Sequence, residues 1–252
     1  MPSAERYLHY FVSDVHLGLS AYDADKREER FVRFLRGLPA EIKALYLLGD
    51  IFDYWFEYKY VVPKGFTRVL GAISQLTDNG IEVYFFRGNH DMWTFGYLEK
   101  ETGVRILGEP SVVSIGERKF CLAHGDELTG AEKAHLMLKR LFRSPFLQKM
   151  LAGVHPRWIF PIATKWSTTR KLSNYSLLEF KGVNEPLYKY ASDFEKAEKI
   201  DYFIFGHLHT PGNNRTPLGA GFYILGAWIY GCEYLCYDEK EDEMRWGSGS
   251  EK

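Results

Sequence analysis

Five short segments, in one order along the chain, gather side chains that bind divalent metals: Asp14-Val15-His16, Gly49-Asp50-Ile51-Phe52-Asp53, Gly88-Asn89-His90-Asp91, His124-Gly125-Asp126 and Gly206-His207-Leu208-His209. Their carboxylates, imidazoles and single amide make up the mixed O and N donor set that divalent transition metals accept. A lone Asp or His at a strand end is commonly a cap or a satisfied polar group. Here five of the chain's eight histidines fall inside these segments, and together they point to a metal site. No Gly-rich P-loop is present, and no Cys sits in a nucleophile-like loop. The chemistry open to this set is metal-assisted hydrolysis. Two cations about 4 Å apart lower the pKa of a shared water, clamp a phosphate ester and neutralise charge on the attacking and leaving oxygens.

The elements that must position these groups are legible as periodic patterns. Tyr7 to Ser13, Ala44 to Leu48, Ile81 to Phe86 and Tyr202 to Phe205 are apolar runs that read as buried strands, each ending just before a segment. Open α/β sheets place ligands at such strand ends. Between them, Asp25 to Leu38 carries Phe31, Phe34, Leu35 and Leu38 at helical spacing, and Phe66 to Leu76 carries Val69, Ile73 and Leu76. That is βαβ alternation. From Val104 the pattern changes: Val112, Val113 and Ile115, a turn over Gly116-Glu117-Arg118-Lys119, then Phe120 to Ala123 read as a β-hairpin. Gly221 to Ala227 with Glu233 to Tyr237 reads as a second one. The glycines of the segments let the backbone turn sharply and bring ligands together.

Between His124 and Tyr202 lies a less typical stretch. From Lys133 to Leu178 there is no Asp or Glu, while Lys139, Arg140, Arg143, Lys149, Arg157, Lys165, Arg170 and Lys171 alternate with Leu, Phe, Ile and Trp. Pro145, Pro156 and Pro161 are expected to break it into short helices. It reads as an inserted helical cap over about 130–178 in a single domain spanning 1–246, followed by a flexible Gly/Ser tail at 247–252. Such a cap is either an ordinary amphipathic subdomain with a solvated basic face or a surface for acyl chains and anionic headgroups.

Composition narrows the class. The chain has 252 residues, a formal net charge of −1 and 46% hydrophobic residues, which describes a water-soluble globular domain with no global basic excess for nucleic acid. Cys121, Cys232 and Cys236 have no zinc-finger or CxxC spacing, which favours packing and a reduced, cytoplasmic setting. His9, His135 and His155 fall outside the segments and read as structural or surface residues.

The ordered segments resemble the calcineurin-like metallophosphoesterase superfamily from Tyr7 to about Trp228. The resemblance implies an α/β/β/α sandwich of two mixed sheets flanked by helices. It implies that Asp14, His16, Asp50 and His209 hold one metal and that Asp50, Asn89, His124 and His207 hold another, bridged by Asp50. Hydrolysis is then expected by in-line attack of a metal-bridging hydroxide on phosphorus. His90 takes the position the superfamily uses for a proton donor or phosphate-orienting group. Asp53, Asp91 and Asp126 are expected to accept imidazole N–H groups and fix tautomers.

Within the superfamily, Leu47-Leu48-Gly49-Asp50-Ile51-Phe52-Asp53-Tyr54-Trp55, His124-Gly125-Asp126-Glu127-Leu128, the insertion and Leu225-Gly226-Ala227-Trp228 resemble the UDP-2,3-diacylglucosamine hydrolases of lipid A biosynthesis. Many of those carry Arg where this chain has His90. The resemblance implies cleavage of a nucleotide-linked lipid to UMP and 2,3-diacylglucosamine 1-phosphate, with two divalent ions, typically manganese. It places Arg170, Lys171 and Asn174 at lipid contacts, with Thr168, Thr169 and Ser173 fitting a shifted register. Trp55 either flanks the pocket or lies in the core. The expected setting is cytoplasmic, bound peripherally to the anionic inner face of a membrane. Two other readings stand beside this one: a different two-metal phosphoesterase acting on a nucleotide, phospholipid, phosphoprotein or nucleic acid, and a non-enzymatic scaffold.

Overall fold

In the computed structural model the chain is described over residues 5–21, 23–128, 142, 144–174 and 179–249, apart from the side chains at 164, 166 and 168–174. The first three predicted strands form as β1 (Leu8–Val12), β2 (Ile42–Leu48) and β3 (Glu82–Phe86), joined by α1 (Ala24–Arg36) and α2 (Thr67–Asp78). After α3 (Tyr97–Thr102) the short β4 (Arg105–Leu107) adds to the same sheet, which is completed by β10 (Glu233–Asp238) and β11 (Glu243–Ser248) in the order β11-β10-β1-β2-β3-β4. A second sheet has the order β5-β6-β7-β9-β8. Its strands are β5 (Ser111–Ile115), β6 (Arg118–Ala123), β7 (Tyr202–Phe205), β8 (Gly212–Arg215) and β9 (Gly221–Ile224). In the first sheet β1 to β4 run parallel, and in the second β6, β7 and β9 do.

Side-chain alternation along the strands builds the layers. Phe11, Ala44, Tyr46, Leu48 and Phe86 point from the first sheet towards Ile115, Phe120, Leu122 and Ile204 of the second, closing the core between sheets. The opposite faces of the same strands carry Tyr10, Val12, Leu45, Leu47, Val83 and Phe85 under Phe31, Phe34, Leu35, Val69, Ile73 and Leu76 of α1 and α2. Cys121, Phe203, Phe205 and Phe222 pack under Leu187, Tyr188 and Ala191 of α6 (Pro186–Phe194). The result is the α/β/β/α order that the resemblance implies.

Three expectations need correction. Gly221 to Ala227 and Glu233 to Tyr237 are not partners: β9 pairs with β7 and β8, while β10 pairs with β1 and β11. The loop between them is held elsewhere, through Leu225 N–H to Phe205 O and Trp228 N–H to Asp14 O, so it crosses from one sheet to the other. Pro161 does not end a helix. The insertion contains α4 (Pro145–Gly153) and a single α5 (Pro156–Asn174) that runs through it. Proline removes one backbone donor there, and its would-be acceptor belongs to exposed Arg157, where water can serve instead. Finally, β11 includes Gly247 and Ser248, and Gly249 N–H donates to Cys232 O at 2.8 Å, so pairing with β10 orders the start of the expected tail; residues 250–252 lie outside the described residues.

The insertion is seated on the loops that follow β2 and β3. Trp93 Nε1 donates to Phe142 O at 3.1 Å, and the Tyr54 and Phe160 rings meet edge to face at 4.9 Å. Ser167 Oγ donates to Asp53 Oδ1 at 2.7 Å.

Candidate metal centre

Asp14 and His16 follow β1, Asp50 follows β2, Asn89 and His90 follow β3, His124 follows β6, and His207 and His209 follow β7. All leave the C-terminal ends of parallel strands, from both sheets, and meet across one end of the sandwich. Their backbones are unusual. Asp14, His16, Asp50, His207 and His209 have φ of 53°, 50°, 52°, 70° and 60°, the left-handed region that costs non-glycine residues on the order of 1–3 kcal/mol each and persists only where surroundings over-determine it. Backbone hydrogen bonds supply that constraint: Asp14 N–H to Gly49 O and His16 N–H to Asp50 O, both at 3.0 Å. Two glycines permit the approach. Gly49 has φ +80°, and a Cβ there would stand 2.8 Å from Gly88 N and His124 Cγ. A Cβ on Gly88 would overlap Asp50 Oδ1 and N.

Ligand atoms of Asp14, His16, Asp50 and His209 all lie within 4.8 Å of one another. His209 Nε2 is 3.1 Å from Asp14 Oδ1 and 3.1 Å from His16 Nε2. Asp50 Oδ2 is 3.8 Å from His16 Nε2 and, on its other side, 3.5 Å from His124 Nε2. The rings of His124 and His207 meet edge to face at 5.2 Å. Tautomers are set from behind: His124 Nδ1 donates to Leu48 O at 2.9 Å and His90 Nδ1 to Asp53 O at 2.8 Å, leaving each Nε2 as the inward-facing atom.

The residues fit divalent ions. Asn89 Oδ1 and His124 Nε2 are buried without a hydrogen-bond partner, and the Nε2 atoms of His16 and His209 converge at 3.1 Å, a donor set that a divalent cation can serve. Electrostatics agree. Burial pushes the Asp14 and Asp50 carboxyls up, but the charges of His209 on one and of His124 and His90 on the other hold both well below the ordinary carboxylate range. Burial opposes charge on His124, yet Asp50 and Asp14 draw it well above its usual value. The negative potential that holds that proton also attracts a cation. Burial and the charge of His124 push His207 down to about 3, which keeps it neutral and able to ligate.

A family model of calcineurin-like phosphoesterases matches residues 10–211, which contain all five segments. The chain belongs to the calcineurin-like phosphoesterase family. This phosphoesterase is 38% identical over 245 residues to the UDP-2,3-diacylglucosamine hydrolase of Porphyromonas gingivalis, covering 91% of this chain and 93% of that protein. Proteins of the same name from Neisseria gonorrhoeae and Serratia proteamaculans are 32% and 30% identical, over 87% and 86% of this chain and 89% and 90% of theirs. Among solved structures, TT1561 of Thermus thermophilus shares the fold, with a TM-score of 0.50 at 13% identity, covering 97% of this chain and 99% of that one.

The structure revises several predicted roles in the phosphoesterase. Asp53 Oδ1 stands 3.3 Å from His16 Nδ1, the expected imidazole contact. Asp91 instead accepts backbone N–H groups, from Asp50, Ile51, Phe52 and Gly88 at 2.8–3.2 Å, because it sits under the turn after β2 and not behind a ring. Burial and the charge of Asp50 push its carboxyl up to about 7. Asp126 is buried, and its charge acts on His124 and His207. Trp55 is fully buried in the helix-side core, with its indole N–H on Glu57 Oε1 at 3.1 Å, the core placement among the two expected for it. Arg170, Lys171 and Asn174 belong to the backbone of α5; their side chains, those of Thr168, Thr169 and Ser173, and His135 lie outside the described residues.

Two contributors had escaped the sequence reading. Arg27 is fully buried in α1, donates to Leu19 O and Ala21 O at 2.7 and 3.2 Å, and feels the charge of Asp53. The signal was available, since Arg27 stands on the stripe of Phe31 and Phe34, and a charge on an apolar stripe asks for a partner. Glu109 Oε1 accepts His124 N–H at 2.7 Å, a pairing with no local signature.

Proposed function

We propose that this phosphoesterase hydrolyses the pyrophosphate bond of UDP-2,3-diacylglucosamine, releasing UMP and 2,3-diacylglucosamine 1-phosphate, a step of lipid A biosynthesis. The observation that carries the reading is the seating of a basic and apolar insertion, without Asp or Glu from Lys133 to Leu178, directly on the loops of the candidate metal centre, in a chain whose relatives are named for that substrate. In α4 and α5, Phe146, Met150, Trp158 and Ile162 are 72%, 55%, 69% and 71% exposed. Acyl chains that cover such a surface gain roughly 0.8 kcal/mol per buried CH₂, which few water-soluble phosphoesters could exploit.

Asp14, His16, Asp50 and His209 would hold one divalent ion, and Asp50, Asn89, His124 and His207 the other, with manganese the proposed metal. Bound ions supply Lewis-acid activation of water and of the phosphoryl oxygens. The chain does the rest. Asp50 lies between the two ligand sets, and its Oδ1 accepts His90 N–H at 2.9 Å, fixing the loop after β3. His90, partly exposed with Nε2 4.0 Å from Asp50 Oδ2, is placed to orient a phosphoryl oxygen or to give a proton to the leaving phosphate. Arg170 and Lys171 supply cationic donors for a pyrophosphate, and Asn174 an amide for the acylated sugar. The test is product analysis after incubation of manganese-loaded protein with UDP-2,3-diacylglucosamine in detergent. UMP together with the acylated sugar 1-phosphate is expected; turnover of a generic phosphodiester alone would discard the lipid substrate.

Peripheral attachment to the inner face of a membrane follows from the same surface. No helix among the described residues is long and apolar enough to cross a bilayer. Trp158 and Ile162 share one face of α5 one turn apart, and nearby Lys and Arg add roughly 1 kcal/mol each against anionic lipid. Trp158→Ser with Ile162→Ser is expected to cut partitioning onto anionic liposomes about tenfold or more, since each side chain is worth about 1.5–3 kcal/mol on burial. Flotation at low salt reads this directly, and wild-type protein left at the bottom of the gradient would end the idea.

A further inference from the structure

Asp53 is where the insertion reaches the metal centre. Its Oδ1 accepts the 2.7 Å hydrogen bond from Ser167 Oγ and stands 3.3 Å from His16 Nδ1 and 3.7 Å from His90 Nδ1. Both partners of the hydrogen bond are buried, Asp53 at 3% and Ser167 at 5% exposure, and they are 114 positions apart in the chain. A helical serine ordinarily turns its hydroxyl back to the carbonyl one turn earlier. Ser167 spends its single O–H proton on Asp53 instead. Phe160, seven residues before it and so on the same face of α5, meets the ring of Tyr54, the residue next to Asp53. A ring contact and a hydrogen bond, two turns apart, thus register α5 against the Asp53-Tyr54 step. Opposite, Asp53 faces the imidazole that must present Nε2 to the ion.

We propose that Ser167 is a positioning residue of the metal centre: it fixes the Asp53 carboxylate that orients His16, so the seating of α5 sets metal affinity. The proposal deepens the reading above and rests on it only for the metal centre, not for the substrate. Groups that orient a ligating histidine are typically worth 10–100-fold in metal affinity, and Ser167 acts one hydrogen bond further out. Coupling of this kind is reciprocal. A lipid that stabilises the seated α5 tightens metal binding, and the ions in turn favour the seated helix.

Calorimetric titration of the metal-free, full-length protein with Mn²⁺ tests this without turnover. Ser167→Ala is expected to weaken Mn²⁺ binding about fivefold to tenfold, whereas Ser167→Thr, which keeps the hydroxyl, should stay within about twofold of wild type. Phe160→Leu, which loosens the seat without touching Asp53, should weaken binding in the same direction and serves if Ser167→Ala folds poorly. Wild-type affinity in Ser167→Ala, equal losses in Ala and Thr, or unchanged affinity in Phe160→Leu would each overturn the proposal. Asp50→Ala is the control: retention of Mn²⁺ there removes the metal centre itself. Failure of UDP-2,3-diacylglucosamine to turn over leaves the Ser167 result standing.

Discussion

Asp50→Ala and His124→Ala are each expected to lower kcat/KM for manganese-stimulated phosphoester hydrolysis by about three orders of magnitude. The size follows from position. Asp50 Oδ2 stands between His16 Nε2 and His124 Nε2, at 3.8 and 3.5 Å, so its loss damages both ligand sets together. Ions that polarise phosphoryl oxygens supply several kcal/mol of transition-state stabilisation, and each 1.36 kcal/mol is about a factor of ten in rate. His124 contributes to one set only in the proposed assignment, yet its Nδ1 is already committed to Leu48 O, so no other atom of that ring can take over. Steady-state rates across a manganese titration separate weakened binding, which excess metal rescues, from a lost ligand, which it does not. Near-normal rates in either variant would refute the two-metal reading.

Asp91→Ala is expected to be the most destabilising change near the site that removes no ligand. One carboxylate serves the N–H groups of Asp50, Ile51, Phe52 and Gly88. Truncation strands them in a fully buried place, and each unsatisfied buried donor costs about 1–3 kcal/mol. Some find new acceptors, so a net loss of about 3–5 kcal/mol is expected, a fall of roughly ten degrees in Tm for a chain of this size. Asn at position 91 keeps one acceptor oxygen and should lose less. Thermal unfolding of the metal-free proteins measures both; a shift of a degree or two for Ala would mean that the turn after β2 holds itself.

Elements with a clear period were readable from the sequence. The strands β1, β2, β3 and β7 are mostly apolar runs, broken only by His9, Lys43 and Glu82, and α1 and α2 carry apolar residues at helical spacing. What escaped has little period to read. Strand β8 is Gly-Asn-Asn-Arg, an edge strand held by pairing to β9 alone, and β4 has three residues. Likewise β11, with Glu243, Arg245 and Trp246 exposed on the sheet edge, looks like a polar tail until β10 is placed beside it. The five segments announced the candidate metal ligands because chemistry restricts residue type there. It does not restrict what a supporting carboxylate bonds to, so Asp91 could not be told from Asp53 before the turns were known. Ser167 had no signature at all, since which residue of α5 faces the core depends on how the insertion is seated.

The order in which the centre is completed sets when it can be filled. Asp14 Oδ2 accepts the N–H of His207, 193 residues further along the chain, and His209 follows β7 of the second sheet. A ribosome adding about 5–20 residues per second reaches those histidines roughly ten to forty seconds after it has made Asp14. Until then the nascent chain lacks part of each proposed ligand set, so the full centre forms only once the second sheet has closed on the first, and ions bound there would tie the earliest part of the chain to one of the latest.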